Sequence, residues 1–270
     1  VRHRHWKSLA ALCGALLIAG CGQSLTATPV SASAPPRTTI QSRPAADSPA
    51  VPLFPIAGQT VVLDPGHNGG GAVHPDQINA QVPDGRGGTK ACNTTGTNAN
   101  DGYTEHEFNW DVAQRVRDLL TARGYHVIMS RDSDDGVGPC VNDRGTLGNR
   151  VGAAAVVSIH ADGAAAGAHG FHVAYSSPAL NDAQSGPSVQ LATALRDGMA
   201  GAGFTPSTYV GSDGMNPRPD LAGLNFSERP TALVECGNMS DPGDAAIIES
   251  PDGRARFARA IATAIAGYLG

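Results

Sequence analysis

The sequence predicts a single α/β domain with a mostly parallel, twisted sheet flanked by helices on both faces. Three observations carry that expectation. Residues 60–64, 155–160 and 231–235 are short apolar runs of the length and composition of buried strands. Segments with apolar residues at helical spacing lie between them, so strand and helix alternate as parallel crossovers require. A chain of 270 residues, 41% of them hydrophobic, can also bury one good core.

Residues 1–20 read as an address rather than as structure. Arg2, Arg4 and Lys7 make a positive start, and residues 9–19 form an apolar run. That run falls short of the roughly 20 residues a bilayer span takes, but it suits a secretory signal. It ends Leu17-Ile18-Ala19-Gly20-Cys21, which resembles the lipobox of bacterial lipoproteins, whose cysteine receives the lipid. Cys21 is the expected lipidation site, on an exported protein held at the outer face of the cytoplasmic membrane. The alternative is a plain signal peptide cut near Ala32 or Ala34. Residues 21–57, rich in Ser, Thr, Ala and Pro, read as a disordered tether reaching roughly 35 Å on average.

The formal charge is −5, and without residues 1–20 the balance is 16 basic against 24 acidic side chains. Such a balance argues against nucleic acid and against adhesion to anionic wall polymers. No internal repeat is present, and a monomer is expected. Of the five cysteines, Cys13 goes with the leader and Cys21 is the proposed lipid site. Cys92 and Cys140 both sit in Gly/Asn/Asp-rich loops, whereas Cys236 ends an apolar strand. An oxidising compartment favours the pair Cys92–Cys140, with a loop-closure stabilisation of about 4 kcal/mol; the alternative leaves three free thiols.

The folded domain is expected over residues 58–270. Residues 60–64 form the first strand and run into Pro65-Gly66. Residues 68–104 are Gly/Asn/Asp-rich with little periodicity, an ordered insertion beside the site. Phe108, Val112, Val116, Leu119 and Leu120 mark a helix over 105–123, stopped by Gly124. Strand 126–131, helix 141–153, strand 155–160 and strand 170–175 follow, then helix 187–202. Residues 208–211 read as a short edge strand. Strand 231–235 is buried, and helices over 241–250 and 252–269 close the domain.

Three strands stop at polar residues: His67 just past 60–64, His160 at the end of 155–160, and Glu235 at the end of 231–235. Open parallel sheets place active sites at those ends, and a core strand has no use for an unpaired carboxylate. His67 and His160 can share a metal. Catalytic zinc takes imidazole nitrogen and carboxylate oxygen from three protein groups and keeps one position open. Glu105, at the start of its helix, is the expected third donor. Glu107 would point elsewhere on the helix, so only one of the two serves.

The chain resembles the zinc-dependent N-acetylmuramoyl-L-alanine amidases of the cell-wall hydrolase type. The resemblance rests on Val62-Leu-Asp-Pro-Gly-His67, Gly102-Tyr-Thr-Glu105, Val157-Ser-Ile-His-Ala-Asp162 and Ala232-Leu-Val-Glu-Cys-Gly237, in that order over residues 60–269. Arg144 and Asn149 fit the same pattern. It implies Zn2+ held by His67, Glu105 and His160, with Glu235 as the catalytic carboxylate. The implied substrate is peptidoglycan, cut at the amide between N-acetylmuramic acid and L-alanine. Gly85-Arg-Gly-Gly-Thr-Lys90 and the placing of Cys92 and Cys140 bring it nearest the compact mycobacterial and actinobacterial members. Asn238 departs from the pattern, since many members carry an apolar or aromatic residue there.

Other readings are weaker. His74, His126, His169 and His172 have no partner spacing and read as structural. Glu107 and His106 read as solvated helix-start residues, His106 being a minor candidate for substrate contact. Cys236 lacks the histidine a thiol nucleophile needs, and the glycines of 66–71 and 85–88 lack the lysine and spacing of a phosphate loop. A stem-peptide carboxypeptidase would use the same metal logic. A non-catalytic wall-binding lipoprotein would ordinarily have lost one of the four site residues.

Overall fold

A computed structural model describes residues 59–270, so the expected leader, Cys21 and the tether lie outside the described residues. The strands are β1 (Thr60–Pro65), β2 (Gln81–Pro83), β3 (Thr89–Ala91), β4 (His126–Met129), β5 (Ala155–Asp162), β6 (His172–Ser176), β7 (Met215–Arg218) and β8 (Thr231–Asn238). The helices are α1 (Pro75–Ile78), α2 (Glu105–Thr121), α3 (Val141–Val151), α4 (Asp182–Ser185), α5 (Pro187–Gly201), α6 (Ala222–Asn225), α7 (Pro242–Glu249) and α8 (Pro251–Leu269). None among the described residues is long and apolar enough to cross a membrane.

Six strands form one sheet in the order β4-β1-β5-β8-β6-β7. β4, β1, β5 and β8 run parallel, β6 is antiparallel to β8, and β7 is parallel to β6. The central strands are covered on both faces, which is why they read as unbroken apolar runs rather than as alternating ones. One face packs against α2, α5 and α8, the other against α3 and α6. From β1 the chain crosses through α2 to β4 on one side, then through α3 to β5 on the other. That reversal opens a crevice at the carboxyl ends of β1 and β5.

α2 begins where it does because Thr104 caps it: the Glu107 carboxylate reaches back to the Thr104 N–H and hydroxyl at 3.2 and 2.6 Å. Its buried stripe is Phe108, Val112, Val116 and Leu120, and Gly124 beyond its end takes φ 88°. Phe257 of α8 meets Phe108 edge-on at 5.7 Å and stacks on Phe204 at 4.1 Å. Alanine and glycine bring α5 close to α8: a Cβ on Gly198 would lie 2.8 Å from that of Ala264. The aromatic-poor, Ala-rich composition is thus spent on close helix contacts.

Residues 68–104 are ordered without a long element: a 3₁₀ turn (Gly69–Val73), α1 and the β2–β3 hairpin. A disulfide joins Cys92 to Cys140, just before α3. The Val141 N–H donates to the Cys92 carbonyl at 2.8 Å.

The expected edge strand at 208–211 is not formed; the edge is β7, at Met215–Arg218. Gly211, Asp213 and Gly214 all have positive φ (71, 51 and 72°), so the chain is turning there. β7 contains Pro217, which an edge strand tolerates because its outer side needs no N–H.

Candidate active site

His67, Glu105, His160 and Glu235 meet at the carboxyl edge of the sheet. His67 follows β1 with φ 57°, a left-handed conformation that is uncommon for a side-chain-bearing residue. Its Nδ1–H donates to the Thr94 carbonyl at 2.9 Å, which leaves the Nε2 lone pair facing inward. Nε2 lies 3.1 Å from Glu105 Oε1, and His160 Nδ1 lies 2.8 Å from the same oxygen. The two rings are edge to face, 4.9 Å apart.

Glu105 is buried and well held. Its Oε2 accepts the Thr97 N–H at 2.9 Å, and its Oε1 accepts the Ala161 N–H at 3.3 Å. Burial works to raise its pKa, but the His160 and His67 rings beside it overcome this and hold the carboxylate far below its usual range. Burial opposes protonation of His67, and the Glu105 carboxylate reverses that, raising the imidazole. A bare lone pair against a carboxylate is unfavourable, so this spot wants a cation. The three donor atoms lie within 4.8 Å of one another, and two imidazoles with one carboxylate are a donor set zinc accepts. The residues therefore fit a divalent ion.

Glu235 pairs across the sheet with His160 on one side and His172 on the other, so all three side chains share a face. Its Oε2 is sealed and has no hydrogen-bond partner. Burial, then the Glu105 and Asp162 carboxylates, push its pKa well above the ordinary range, against Arg218. Asp162 had no role assigned from sequence, although two positions after His160 on a strand is the same face. Its Oδ2 accepts the Tyr209 hydroxyl at 3.0 Å and lies 3.3 Å from His172 Nε2. Nothing in the sequence pointed to Tyr209, which arrives from the turn before β7.

Two buried arginines grip the segment that presents His67. Arg144 binds Asp64 Oδ1 at 2.7 Å, the Pro65 carbonyl at 2.9 Å and the His67 carbonyl at 3.0 Å. Arg131 binds the Pro65 carbonyl at 2.9 Å. Asp64 also accepts the Ser130 and Ser158 hydroxyls. Burial works to raise its pKa, while Arg144 and the two hydroxyls lower it to about 2. Asn149 joins α3 to the chain before β8, through the Phe226 carbonyl at 2.9 Å and the Glu228 N–H at 2.8 Å.

Other polar candidates have local duties. Glu107 is the helix cap, not a donor to the cluster, and His106 Nδ1 is held by Asp134 at 2.7 Å. His172 is buried between Asp162 and Asn216; His74 and His126 are exposed. Cys236 is a free, buried thiol whose pKa is pushed well up by burial and then by Glu235, the reverse of what a nucleophile needs. Asn238 is buried; its amide accepts the Ala164 N–H and donates to the Ala168 carbonyl at 2.6 Å, fixing the loop after β5.

Beneath His67 and His160 lies a cavity of about 270 Å³. Val156, Leu221, Leu224 and Leu233 wall it, with Ser158 and the Asp64–Arg144 pair as its polar part.

The fold and the site together define an α/β domain with a donor set suited to a divalent metal at the carboxyl edge of its sheet. Residues 61–267 match the sequence profile of the N-acetylmuramoyl-L-alanine amidase family (Amidase_3), and the chain belongs to that family. It is 47% identical over 214 residues to the N-acetylmuramoyl-L-alanine amidase Rv3717 of Mycobacterium tuberculosis, covering 79% of this chain and 88% of that one. Among solved structures it resembles the amidase Ami1 of Mycobacterium smegmatis, with TM-score 0.77, 54% identity, and 80% and 98% of the two chains covered. Ami1 of Mycobacterium abscessus gives TM-score 0.77 at 48% identity, with 80% and 100% covered.

Proposed function

We propose that the chain hydrolyses the amide joining the lactyl group of N-acetylmuramic acid to L-alanine in peptidoglycan. In this reading Zn2+ is held by His67, Glu105 and His160, and Glu235 moves the proton. The observation that carries it is the convergence of three donor atoms beside a carboxyl group whose Oε2 has no partner.

A zinc ion bound there would supply Lewis acidity to the scissile carbonyl and to the attacking water. The Thr94 carbonyl fixes the His67 tautomer, a common device for orienting a metal-binding imidazole. The Glu235 carboxylate takes a proton from the water and returns it to the departing amine nitrogen of L-alanine. Burial, and then the Glu105 and Asp162 carboxylates, make that group a better proton acceptor.

Mass spectrometry of peptidoglycan fragments, digested with and without a chelator, tests the reading. Free lactyl groups on muramic acid, absent with chelator, are the expected products. Released amino acids would point to a carboxypeptidase instead. The reading includes export and a lipid on Cys21, for which fatty-acid labelling of wild type against Cys21→Ala is the check.

A further inference from the structure

Two residues past β4, Arg131 turns inward with its side chain only 2% exposed. Its Nε donates to the Pro65 carbonyl at 2.9 Å and its Nη2 to the Gly66 carbonyl at 3.4 Å, immediately before His67. The same Nη2 reaches the His106 carbonyl at 3.1 Å, immediately after Glu105. Nη1 binds the Ser133 carbonyl at 2.9 Å and Asp134 Oδ1 at 2.7 Å, and the guanidinium lies 4.9 Å from the Trp110 ring centroid.

We propose that Arg131 is a positioning residue for the metal centre: one buried guanidinium joins the backbone beside His67 to the backbone beside Glu105 and so sets the spacing of their donor atoms. The inference rests on the donor set proposed above.

His67 stands on a loop after a strand, and Glu105 on the first residue of a helix. Their donor atoms keep one separation only if loop and helix start are tied together. Asp134 completes the tie, because its other carboxylate oxygen lies 2.7 Å from His106 Nδ1 and its carbonyl accepts the Gly69 N–H at 2.8 Å. The job needs a guanidinium. Five N–H groups in one plane can address carbonyls on two sides and a carboxylate at once, whereas an ammonium offers three donors from a single point.

The test is the zinc affinity of metal-free protein, measured by competition with a chromophoric chelator, alongside its Tm without metal. Wild type is compared with Arg131→Lys, Asp134→Asn and Arg254→Lys. Arg254 is the control: it is also largely buried, but it ties α8 to Asp111 further along α2. Arg131→Lys is expected to weaken zinc binding 10–100-fold and Asp134→Asn about tenfold, as loss of a ligand's supporting contacts does. Arg254→Lys should lower Tm and leave affinity alone. The proposal is overturned if Arg131→Lys binds zinc as wild type does, or if Arg254→Lys loses affinity in step with its Tm. Should Arg131→Lys not fold, Asp134→Asn decides, and unchanged affinity there is equally fatal. A wild-type protein that binds no zinc would overturn the donor assignment itself, and this inference with it.

Discussion

Gly66 lies directly under the His160 imidazole: a Cβ built on it would fall 2.0 Å from Cε1 and 2.2 Å from Nε2 of that ring. The glycine is there for want of room, since its own backbone needs no left-handed conformation. Gly66→Ala is expected to push the ring aside, costing zinc binding and at least about 100-fold in hydrolysis, as loss of a catalytic group does. Metal content and turnover of the purified variant are the check. A variant with full metal and full rate would show that His160 does not sit where it is needed.

Glu235→Gln keeps the shape of the side chain and removes its ability to take a proton. Zinc content should match wild type, while turnover falls about 10²–10⁴-fold, the usual worth of a positioned acid–base group. Steady-state rates on purified peptidoglycan, with zinc measured on the same sample, decide it. Near-normal turnover would remove Glu235 from the mechanism.

Asp64 makes the domain acid-sensitive in a defined window. Its folded pKa is about 2 against an ordinary 3.8, so between those values the unfolded chain binds more protons. The stabilisation is therefore complete above about pH 5, drains as pH falls through 3.8, and is gone below 2; its size is about 2 kcal/mol. Denaturant melts of wild type should show this loss between pH 5 and 2. Asp64→Asn, less stable throughout because Arg144 loses its partner, should lack that component of the slope. Parallel curves for the two proteins would refute the link.

The Cys92–Cys140 bond closes a separation of 48 residues and pins the 68–104 segment to the start of α3. Reduction should cost about 4 kcal/mol by the chain-entropy account. Comparing Tm with and without reductant, and for Cys92→Ala with Cys140→Ala, measures it. Unchanged stability would mean that backbone contacts such as Val141 N–H to Cys92 carbonyl hold the segment unaided.

The central strands, and the placing of His67, His160 and Glu235 at their ends, were legible because parallel strands buried on both faces write themselves as apolar runs, and a run ending in His or Glu is conspicuous. That only one of Glu105 and Glu107 could join the cluster was legible from helical spacing, and the cap explains the second glutamate. The edge strand was not. Met215-Asn-Pro-Arg218 has no periodicity to speak of, and its pairing with β6 comes from tertiary placement. The supporting shell was also out of reach. Arg131 acts through carbonyl oxygens, which every residue possesses, and Tyr209 reaches Asp162 across 47 positions of chain. Asn238 looked like a departure from the family pattern; its amide secures a loop that an apolar side chain could hold only by contact.

The two sides of the sheet are built unequally. Under α2, α5 and α8 the apolar residues form one continuous cluster, whereas under α3 and α6 they form two small ones. The hollow beside the histidines is walled by members of both small clusters. The continuous side holds most of the apolar burial, and the hollow lies beside His67 and His160. Changing its apolar wall at Val156, Leu221, Leu224 or Leu233 alters the small clusters and leaves the continuous one intact. Such a division lets a lineage retune what fits beside its reacting groups without endangering the scaffold that holds them.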